Sequence, residues 1–187
     1  MDTPQELTTQ RLRLRRWQTS DSTPFAEMNA DPEVMEFFPA TLNRAESDAF
    51  ISRIEGHFDE HGYGLWAVEP LDDRAFVGFV GLARAVFDAS FTPAVEIGWR
   101  LAKHHWGRGY APEAAREVLA DAFGRVGLDE VVSFTADINV RSRTVMEKIG
   151  MTHSEAEDFE HPSVAVGDSL RPHVLYRLSA AQSQASG

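Results

Sequence analysis

Apolar residues recur at steps of three and four between residues 111 and 126, which is the strongest periodic pattern in the chain. This spacing places them on one face of a helix that ends at Gly127. A second helix is predicted from Asn43 to His61, because Asn43 and Glu46 have the spacing of a capping box and a glycine follows His61. Two amphipathic helices are therefore expected.

Other segments alternate apolar with polar residues or form short apolar runs, which is typical of strands. We expect strands over residues 10–17, 63–69, 75–87, 94–102, 130–137 and 173–178. The second and third of these flank the turn-forming sequence PLDDR and are predicted to form an antiparallel hairpin. Gly78 and Gly81 within that hairpin indicate a bulge or close packing, or are merely tolerated.

Short helices are predicted where a capping residue precedes proline. Thr23-Pro24 and Asp31-Pro32 both carry this signal, so two short helices are expected in tandem. Another short helix is expected over residues 140–149, before a glycine stop.

The order of elements is strand, helices, hairpin, strand, helix, strand, helix, strand. A chain of 187 residues has the size of one domain, and neither an internal repeat nor a linker is visible. We interpret residues 1–178 as a single mixed α/β (α+β) domain. The polar residues 179–187 are expected to form a flexible C-terminal tail.

The chain is acidic, with 18 Lys and Arg against 29 Asp and Glu and a formal net charge of -11. A nucleic-acid partner is therefore not expected, since such proteins carry a basic face. The only basic stretch, Arg11 to Arg16, alternates with leucine and fits a half-buried strand better than a phosphate-binding patch. The acidic surface favours cationic partners such as amines and basic peptides.

The sequence has no cysteine, which excludes disulfides, thiolate zinc sites and a cysteine nucleophile. His104 and His105 are adjacent and no third ligand is spaced to join them, so no metal site is expected. No apolar run approaches the length of a membrane span, and the first residues lack a signal-peptide pattern. We therefore expect a soluble, cytoplasmic protein without a membrane partner.

Glycines cluster in HHWGRGYAPEA, residues 104–114, between a predicted strand and the strongest predicted helix. Backbone without side chains lets several N–H groups converge, and the helix N-terminus adds positive potential, so this turn is a candidate phosphate site. Arg108 is placed to reinforce it. The alternative is that the glycines only turn the chain. The residues match neither the P-loop nor the full dinucleotide-binding pattern.

The hexapeptide WGRGYA, residues 106–111, resembles the signature of the GNAT acetyltransferase superfamily in the form typical of its RimJ/RimL-like branch. Around it, VEIGWRLAKHHWGRGYAPEA is similar to the strand, loop and helix of that branch. Further along, DINVRSRTVMEKIGM resembles its second half. The segments DPEVMEFF and DFEHPSVAVGDSLRPHVLYRL extend the resemblance over about residues 8–178.

The resemblance implies a strongly bent mixed sheet of about seven strands flanked by helices, with a V-shaped splay between two parallel strands. Acetyl-CoA would lie in that splay, its pantetheine arm along one strand and its pyrophosphate on the glycine-rich turn. The cofactor-binding residues that this implies are Trp99, Arg100, Leu101, Trp106, Gly107, Arg108, Gly109, Tyr110, Ala111, Asn139 and Ser142. The resemblance is also compatible with a homodimer.

Acetyl transfer needs a neutral amine, a donor to the oxyanion and an acid for the leaving thiolate. The resemblance makes Ser142 a candidate acid, whereas its alternative role, like that of Asn139, is in helix capping. Glu96 is a candidate base that points either into the cleft or into solvent, because alternation alone does not tell which face is which. Glu160 and His161 lie where the branch places acceptor-side residues.

The function implied is an acetyl-CoA-dependent N-acetyltransferase that acts on a primary amine by direct attack in a ternary complex. The acceptor would be a protein or peptide N-terminus or a small, cationic amine. The alternative is a non-enzymatic CoA-binding or interaction module on the same fold.

Overall fold

The computed structural model describes residues 6–185 as a nine-stranded sheet flanked by helices. The strands are β1 (Glu6–Thr8), β2 (Leu12–Arg15), β3 (Leu65–Pro70), β4 (Gly78–Ala85), β5 (Ala94–Leu101), β6 (Glu130–Ala136), β7 (Thr152–His153), β8 (Phe159–Glu160) and β9 (Pro172–Ser179). Their order across the sheet is β1-β2-β3-β4-β5-β6-β9-β7, and β8 pairs with β9. All neighbours are antiparallel except β5 and β6.

The helices are α1 (Ser22–Ala30), α2 (Arg44–His61), α3 (Tyr110–Asp121), α4 (Val140–Lys148) and α5 (Ala180–Ala185). Asn43 and Glu46 form the predicted capping box of α2, and Gly62 ends that helix in the left-handed conformation. Helix α3 continues as a π-helical turn over Ala122–Val126 and ends at Gly127. Within residues 6–185, no helix has both the length and the apolarity needed to cross a membrane.

The predicted mixed fold with its parallel splay is confirmed, and the sheet has nine strands where about seven were expected. One predicted element is wrong: residues 32–40 form turns rather than a second short helix. The Asp31 side chain accepts the Glu33 N–H at 2.9 Å, which starts a local turn instead of a helix. The residues expected as a tail begin with the end of β9 and continue as α5 up to Ala185.

The core lies where α3 packs against the sheet. Ile97 and Leu82 from the sheet meet Val118 and Leu119 of α3, and all four are at most 3% exposed. A smaller cluster joins Phe25 and Met28 of α1 to Phe79 of β4. The alternating faces of β4 and β5 thus contact different helices.

Gly78 and Gly81 are required by close packing in the central strands. A Cβ on Gly78 would lie 2.2 Å from the Arg100 carbonyl oxygen, and one on Gly81 would lie 2.1 Å from that of Gly64. Of the interpretations left open for these two glycines, close packing is therefore the one that the structure favours.

Arginines of the Arg11–Arg16 stretch hold carboxylates rather than an external phosphate. Arg15, only 5% exposed, donates two hydrogen bonds to Asp21 at 2.7 and 2.9 Å and a third to Glu69 at 2.7 Å. Arg13 contacts Glu69 and Glu6. The predicted strand is confirmed over Leu12–Arg15.

Candidate active site

Strands β5 and β6 run parallel and separate after a single residue pair. Glu96 pairs with Val132, and the Ser133 hydroxyl donates to the Ile97 carbonyl at 2.9 Å. No further pair joins the two strands among the described residues, whereas β5 stays paired with β4 along its whole length. A V-shaped gap therefore opens along the second half of β5, as the resemblance predicts.

The edge of β5 that faces the gap presents backbone groups. Successive residues of a strand turn these groups to alternate edges, and the Ala102 N–H donates to Val77 on the β4 side at 2.9 Å. Trp99 and Leu101 therefore face the gap. The Leu101 carbonyl accepts from the Trp106 indole N–H at 2.7 Å, which leaves the Trp99 N–H and C=O directed into the gap.

A cleft of about 680 Å³ occupies this gap. It reaches from the glycine loop, residues 107–111, to residues 161–173 beside the last strand. The predicted site residues that line it are Glu96, Trp99, Arg100, Leu101, Trp106, Gly107, Gly109, Tyr110, Ala111, Asn139, Ser142 and His161. Arg108 and Glu160 are not among its lining residues.

The glycine loop turns the chain into α3 and leaves backbone amides free. Gly107 and Gly109 have φ angles of 74° and 78°, a region that favours glycine. Gly109 is the N-cap of α3, so the amides of Tyr110 and Ala111 have no acceptor in a preceding helical turn. Free amides at a helix N-terminus attract anions. The loop thus has the geometry of a phosphate site.

The N-terminal segment braces this loop, which the sequence did not indicate. Arg11 donates to the Glu113 carboxylate at 2.7 Å and to the Arg108 carbonyl at 3.0 Å. The Thr9 hydroxyl adds a hydrogen bond to Glu113 at 2.5 Å. Although burial opposes ionisation, these hydrogen bonds hold the pKa of Glu113 below its usual range. The Arg108 side chain is exposed.

Asn139 and Ser142 combine a capping position with a place in the cleft. As the N-cap of α4, the Asn139 side-chain oxygen Oδ1 accepts the Ser142 N–H at 3.1 Å, and the Asn139 side-chain Nδ2 donates to the Thr135 hydroxyl at 2.9 Å. The Ser142 hydroxyl has no hydrogen-bond partner among residues 6–185, and both side chains line the cleft. Capping therefore fixes Asn139, while the Ser142 hydroxyl is free to meet a ligand.

Glu96 points into the cleft rather than into solvent. Its side chain lies beside Gly98, with Oε1 at 3.7 Å from where a Cβ on that glycine would stand. It makes no ion pair or hydrogen bond with other residues of the described chain. Burial raises the pKa of Glu96 to about 8, because the carboxylate loses its hydration there.

His161 lines the cleft, whereas Glu160 does not. The His161 ring lies 4.8 Å from that of His173, and burial together with the charges of His173 and Arg171 lowers its pKa. The side chain of Glu160 is 60% exposed and forms an ion pair with Arg171 at 2.8 Å. The structure thus separates these two neighbouring candidates.

The cover segment, residues 34–39, lies over part of the cleft. Val34, Phe37, Phe38 and Pro39 contribute to its lining. In the sequence this segment is marked by its aromatic residues and by the resemblance of DPEVMEFF, and it has no regular secondary structure.

Arg141 of α4 links the cover segment to the glycine loop. Its guanidinium carbon lies 4.5 Å from the Trp106 ring centroid and 5.4 Å from that of Phe37. The same side chain forms an ion pair with Glu36 at 2.6 Å. One residue thus contacts both walls of the cleft.

Arg100 has surroundings that the sequence did not indicate. It is 8% exposed, and its Nη1 donates to the Asn29 side-chain oxygen at 2.6 Å. Its guanidinium lies 4.1 Å from the Phe38 ring centroid and 5.4 Å from that of Phe79. The side chain therefore leaves the strand towards α1 and the cover segment.

The family model that describes the acetyltransferase (GNAT) domain matches residues 11–152. The uncharacterised protein YkkB of Bacillus subtilis is 30% identical over 156 residues, covering 83% of this chain and 90% of that protein. The FsC-acetyl coenzyme A-N(2)-transacetylase of Aspergillus fumigatus is 35% identical over 140 residues, covering 69% of this chain and 57% of that protein.

Among solved structures, Mycobacterium smegmatis RimJ in complex with CoA-disulfide superposes with a TM-score of 0.76 at 19% identity. The superposition covers 96% of this chain and 89% of RimJ. At this identity the likeness establishes the fold. The resemblance to the GNAT superfamily seen in residues 106–111 is confirmed, and the chain belongs to the GNAT family of acetyltransferases.

Proposed function

We propose that this protein is an acetyl-CoA-dependent N-acetyltransferase that acts on a primary amine by direct attack in a ternary complex. The observation that carries the proposal is the continuity of the gap beside β5 with the free amides of the glycine loop. The Trp99 backbone groups suit an extended, amide-rich arm, and the loop amides suit a diphosphate. The residues present therefore fit acetyl-CoA.

When bound, acetyl-CoA supplies an activated thioester. Trp99, Leu101 and the glycine loop would hold it, with Trp106 beside the loop. The Trp99 N–H faces the gap, where it is placed to stabilise an oxyanion. Much of the acceleration would come from holding both reactants in one cleft, since positioning is worth about 7 to 11 kcal/mol in favourable cases.

Glu96 is the residue we assign to accept the ammonium proton of the acceptor. An amine attacks only after it loses this proton, and a base with a pKa of about 8 is well matched to neutral solution. Its carboxylate has no competing partner in the described chain. His161 is the second candidate for this role. Glu160, outside the cleft, receives no role in the proposal.

Ser142 is the residue we assign to protonate the leaving thiolate. Its hydroxyl is free and lines the cleft on the α4 side. The acceptor is a protein or peptide N-terminus or a small amine. A homodimer and a cytoplasmic location remain predictions from the sequence.

Thiol release from acetyl-CoA tests this function across a panel of small amines and basic N-terminal peptides, with calorimetry of coenzyme A binding alongside. We expect micromolar to millimolar binding and amine-dependent release. Binding without release on the whole panel would favour the non-enzymatic module. If coenzyme A does not bind, the proposal fails.

A further inference from the structure

The cleft contains a buried arginine without a carboxylate. Arg100 is 8% exposed, and no Asp or Glu of residues 6–185 lies within ion-pair distance of it. Of its donors, only Nη1 has a protein partner, Asn29, and Nε is buried with none. A buried polar group without a partner costs stability, and more so when it is charged.

The other buried arginine of residues 6–185 has its charge balanced. Arg15 meets Asp21 through two hydrogen bonds and Glu69 through a third. The fold therefore neutralises the guanidinium of Arg15 with carboxylates, whereas the guanidinium of Arg100 in the cleft has no carboxylate beside it.

Arg100 is also held in place. Asn29, which accepts from it, is fully buried and donates in turn to Ser47 at 3.0 Å. The guanidinium lies against the rings of Phe38 and Phe79. Burial lowers the pKa of Arg100 to about 10, so it stays charged at neutral pH. A fixed, charged and incompletely bonded guanidinium suits an oxyanion.

The local charge of the cleft opposes that of the whole chain. Glu96 is the only acidic side chain of its lining, whereas Arg100, Arg141 and Lys148 are basic. Arg141 and Lys148 belong to α4, on the side of the proposed coenzyme site, and Arg141 already pairs with Glu36. Of these three cations, Arg100 is the one that lies away from α4, and no carboxylate of residues 6–185 balances its charge.

Glu96, Gly98 and Arg100 lie on one face of β5, because alternate residues of a strand share a face. Glu96 and Arg100 are about 13 Å apart along the strand at 3.3 Å per residue. The space above Gly98, between these two side chains, is unoccupied, since a Cβ on Gly98 would meet only the Glu96 carboxylate within 4 Å. A short molecule can span the two groups over this glycine.

We propose that the acceptor is an amino compound that also carries a carboxylate, with its amine towards Glu96 and its carboxylate on the Arg100 guanidinium. This inference rests on the proposed function and names its substrate class. The net charge of the chain led us to expect a cationic acceptor, and this proposal restricts the acceptor to amines that also carry a negative charge. The resemblance grouped Arg100 with the coenzyme-binding residues, but its side chain turns to Asn29 of α1. In this proposal Arg100 is therefore a specificity-determining residue for the acceptor and is not one of the groups that hold the coenzyme.

The test compares matched amines with and without the carboxylate. Glycine, β-alanine, 4-aminobutanoate and 6-aminohexanoate are assayed against their carboxamides, with O-phosphoethanolamine as the phosphate analogue, on the wild type and on Arg100→Met and Arg100→Lys. We expect the wild type to prefer one or more of the carboxylates. Arg100→Met should raise the acceptor KM about 10- to 100-fold for these and leave the carboxamides unchanged, since hydrogen bonds to charged groups have this worth. Arg100→Lys should recover part of the loss, and the KM for acetyl-CoA should stay within about twofold.

The inference is overturned if Arg100→Met weakens acetyl-CoA and every acceptor equally, or if carboxamides or the phosphate analogue are preferred. Because a core variant can fail to fold, inhibition of the wild type by hexanoate, with hexanamide as control, gives a second measurement. Hexanoate should compete with the acceptor and not with acetyl-CoA, whereas equal inhibition by hexanamide contradicts the inference. If neither these compounds nor the small amines and N-terminal peptides of the first panel are acetylated, the proposed function fails. Calorimetry then tests Arg100 separately. If Arg100 binds a carboxylate, the wild type should bind hexanoate and Arg100→Met should not, whereas no binding by the wild type, or equal binding by both, contradicts the inference.

Discussion

The half of the cleft that faces the glycine loop is built from backbone, whereas the half that faces Glu96 and Arg100 is built from side chains. In the half proposed to hold the coenzyme, free amides of the loop and of β5 would do the binding, and any residue with the right φ angle can supply them. In the acceptor half, single ionisable groups sit on one strand under the cover segment. Substitutions in the first half should therefore change the affinity for the coenzyme by altering the backbone conformation. Substitutions in the second half should change the turnover of the acceptor by altering charge.

Replacing Glu96 by Gln should produce the largest effect, because it removes the proposed base while keeping the shape of the side chain. We expect kcat to fall about 10²- to 10⁴-fold, the usual range for general base catalysis. In the wild type, kcat should rise with pH through about 8, and Glu96→Gln should lose that rise. The pH profile of kcat checks this, and a retained rise would assign the base to another group, with His161→Gln as the matched test.

The same variant has an opposite effect on stability. A carboxyl whose folded-state pKa is raised costs stability as pH rises from its unfolded pKa to the folded value, here about 8. Glu96→Gln should therefore melt at a higher temperature than the wild type at pH 8, with the gap closing near pH 4. A lower melting temperature at pH 8 would contradict the desolvated environment of Glu96.

Replacing Ser142 by Ala probes the boundary between the two halves. We expect kcat to fall about 10- to 100-fold through loss of the thiolate acid, with unchanged coenzyme A affinity. The helix should stay intact, because Asn139 accepts from the Ser142 backbone rather than from its hydroxyl. Thr144→Ala is the matched control, since the Thr144 hydroxyl also borders the cleft but bonds to Val140. Equal effects in both variants would remove Ser142 from the chemistry.

Replacing Gly107 by Ala should weaken the coenzyme half alone. Gly127→Ala is its matched control, because both glycines have φ near 75° and open space around a Cβ, and only Gly107 lies in the cleft. Both variants should lose about 1–2 kcal/mol of stability through the left-handed conformation. Only Gly107→Ala should raise the Kd for coenzyme A, by about 10-fold if the loop shifts and gives up one charge-assisted hydrogen bond. Calorimetry that finds the same Kd for both would remove the loop from binding.

The smallest effect is expected from Arg11→Met, which releases the brace on the loop. Arg11 contacts Glu113 and the Arg108 carbonyl but does not line the cleft. We expect about a two- to fivefold rise in the Kd for coenzyme A, the worth of an exposed ion pair. The acceptor KM should not change. Arg13→Met, which breaks the ion pairs with Glu6 and Glu69 away from the cleft, is the control and should leave both constants unaltered.

The coenzyme half could be predicted from the sequence because its information is contiguous. Residues 106–111 contain the glycines, the helix start and the small residues in one stretch, and backbone geometry follows from such local rules. The long helices α2 and α3 were predictable for the same reason, through a capping box and a sustained apolar period.

The acceptor half could not be predicted, because it depends on contacts between distant residues. Alternation along β5 places Glu96 and Arg100 on one face without telling which face holds the cleft. Arg100 meets Asn29, 71 positions away in sequence. The cover segment was predicted as a helix from Asp31-Pro32, but it forms turns in which Val34 and Met35 are buried. Strands β7 and β8, two residues each, exist only through pairing with β9.

Arg141 contacts both walls of the cleft, since its guanidinium lies over the Trp106 ring beside the loop and pairs with Glu36 of the cover segment. If a bound diphosphate shifts the Arg141 guanidinium, the ion pair with Glu36 changes. The position of the cover segment, and with it the shape of the proposed acceptor site, then changes as well. The coupling free energy between two binding sites is the same in both directions. The factor by which the coenzyme changes the affinity for the acceptor therefore equals the factor by which the acceptor changes the affinity for the coenzyme. The Kd measured for either substrate would then change when the other substrate is present at saturation.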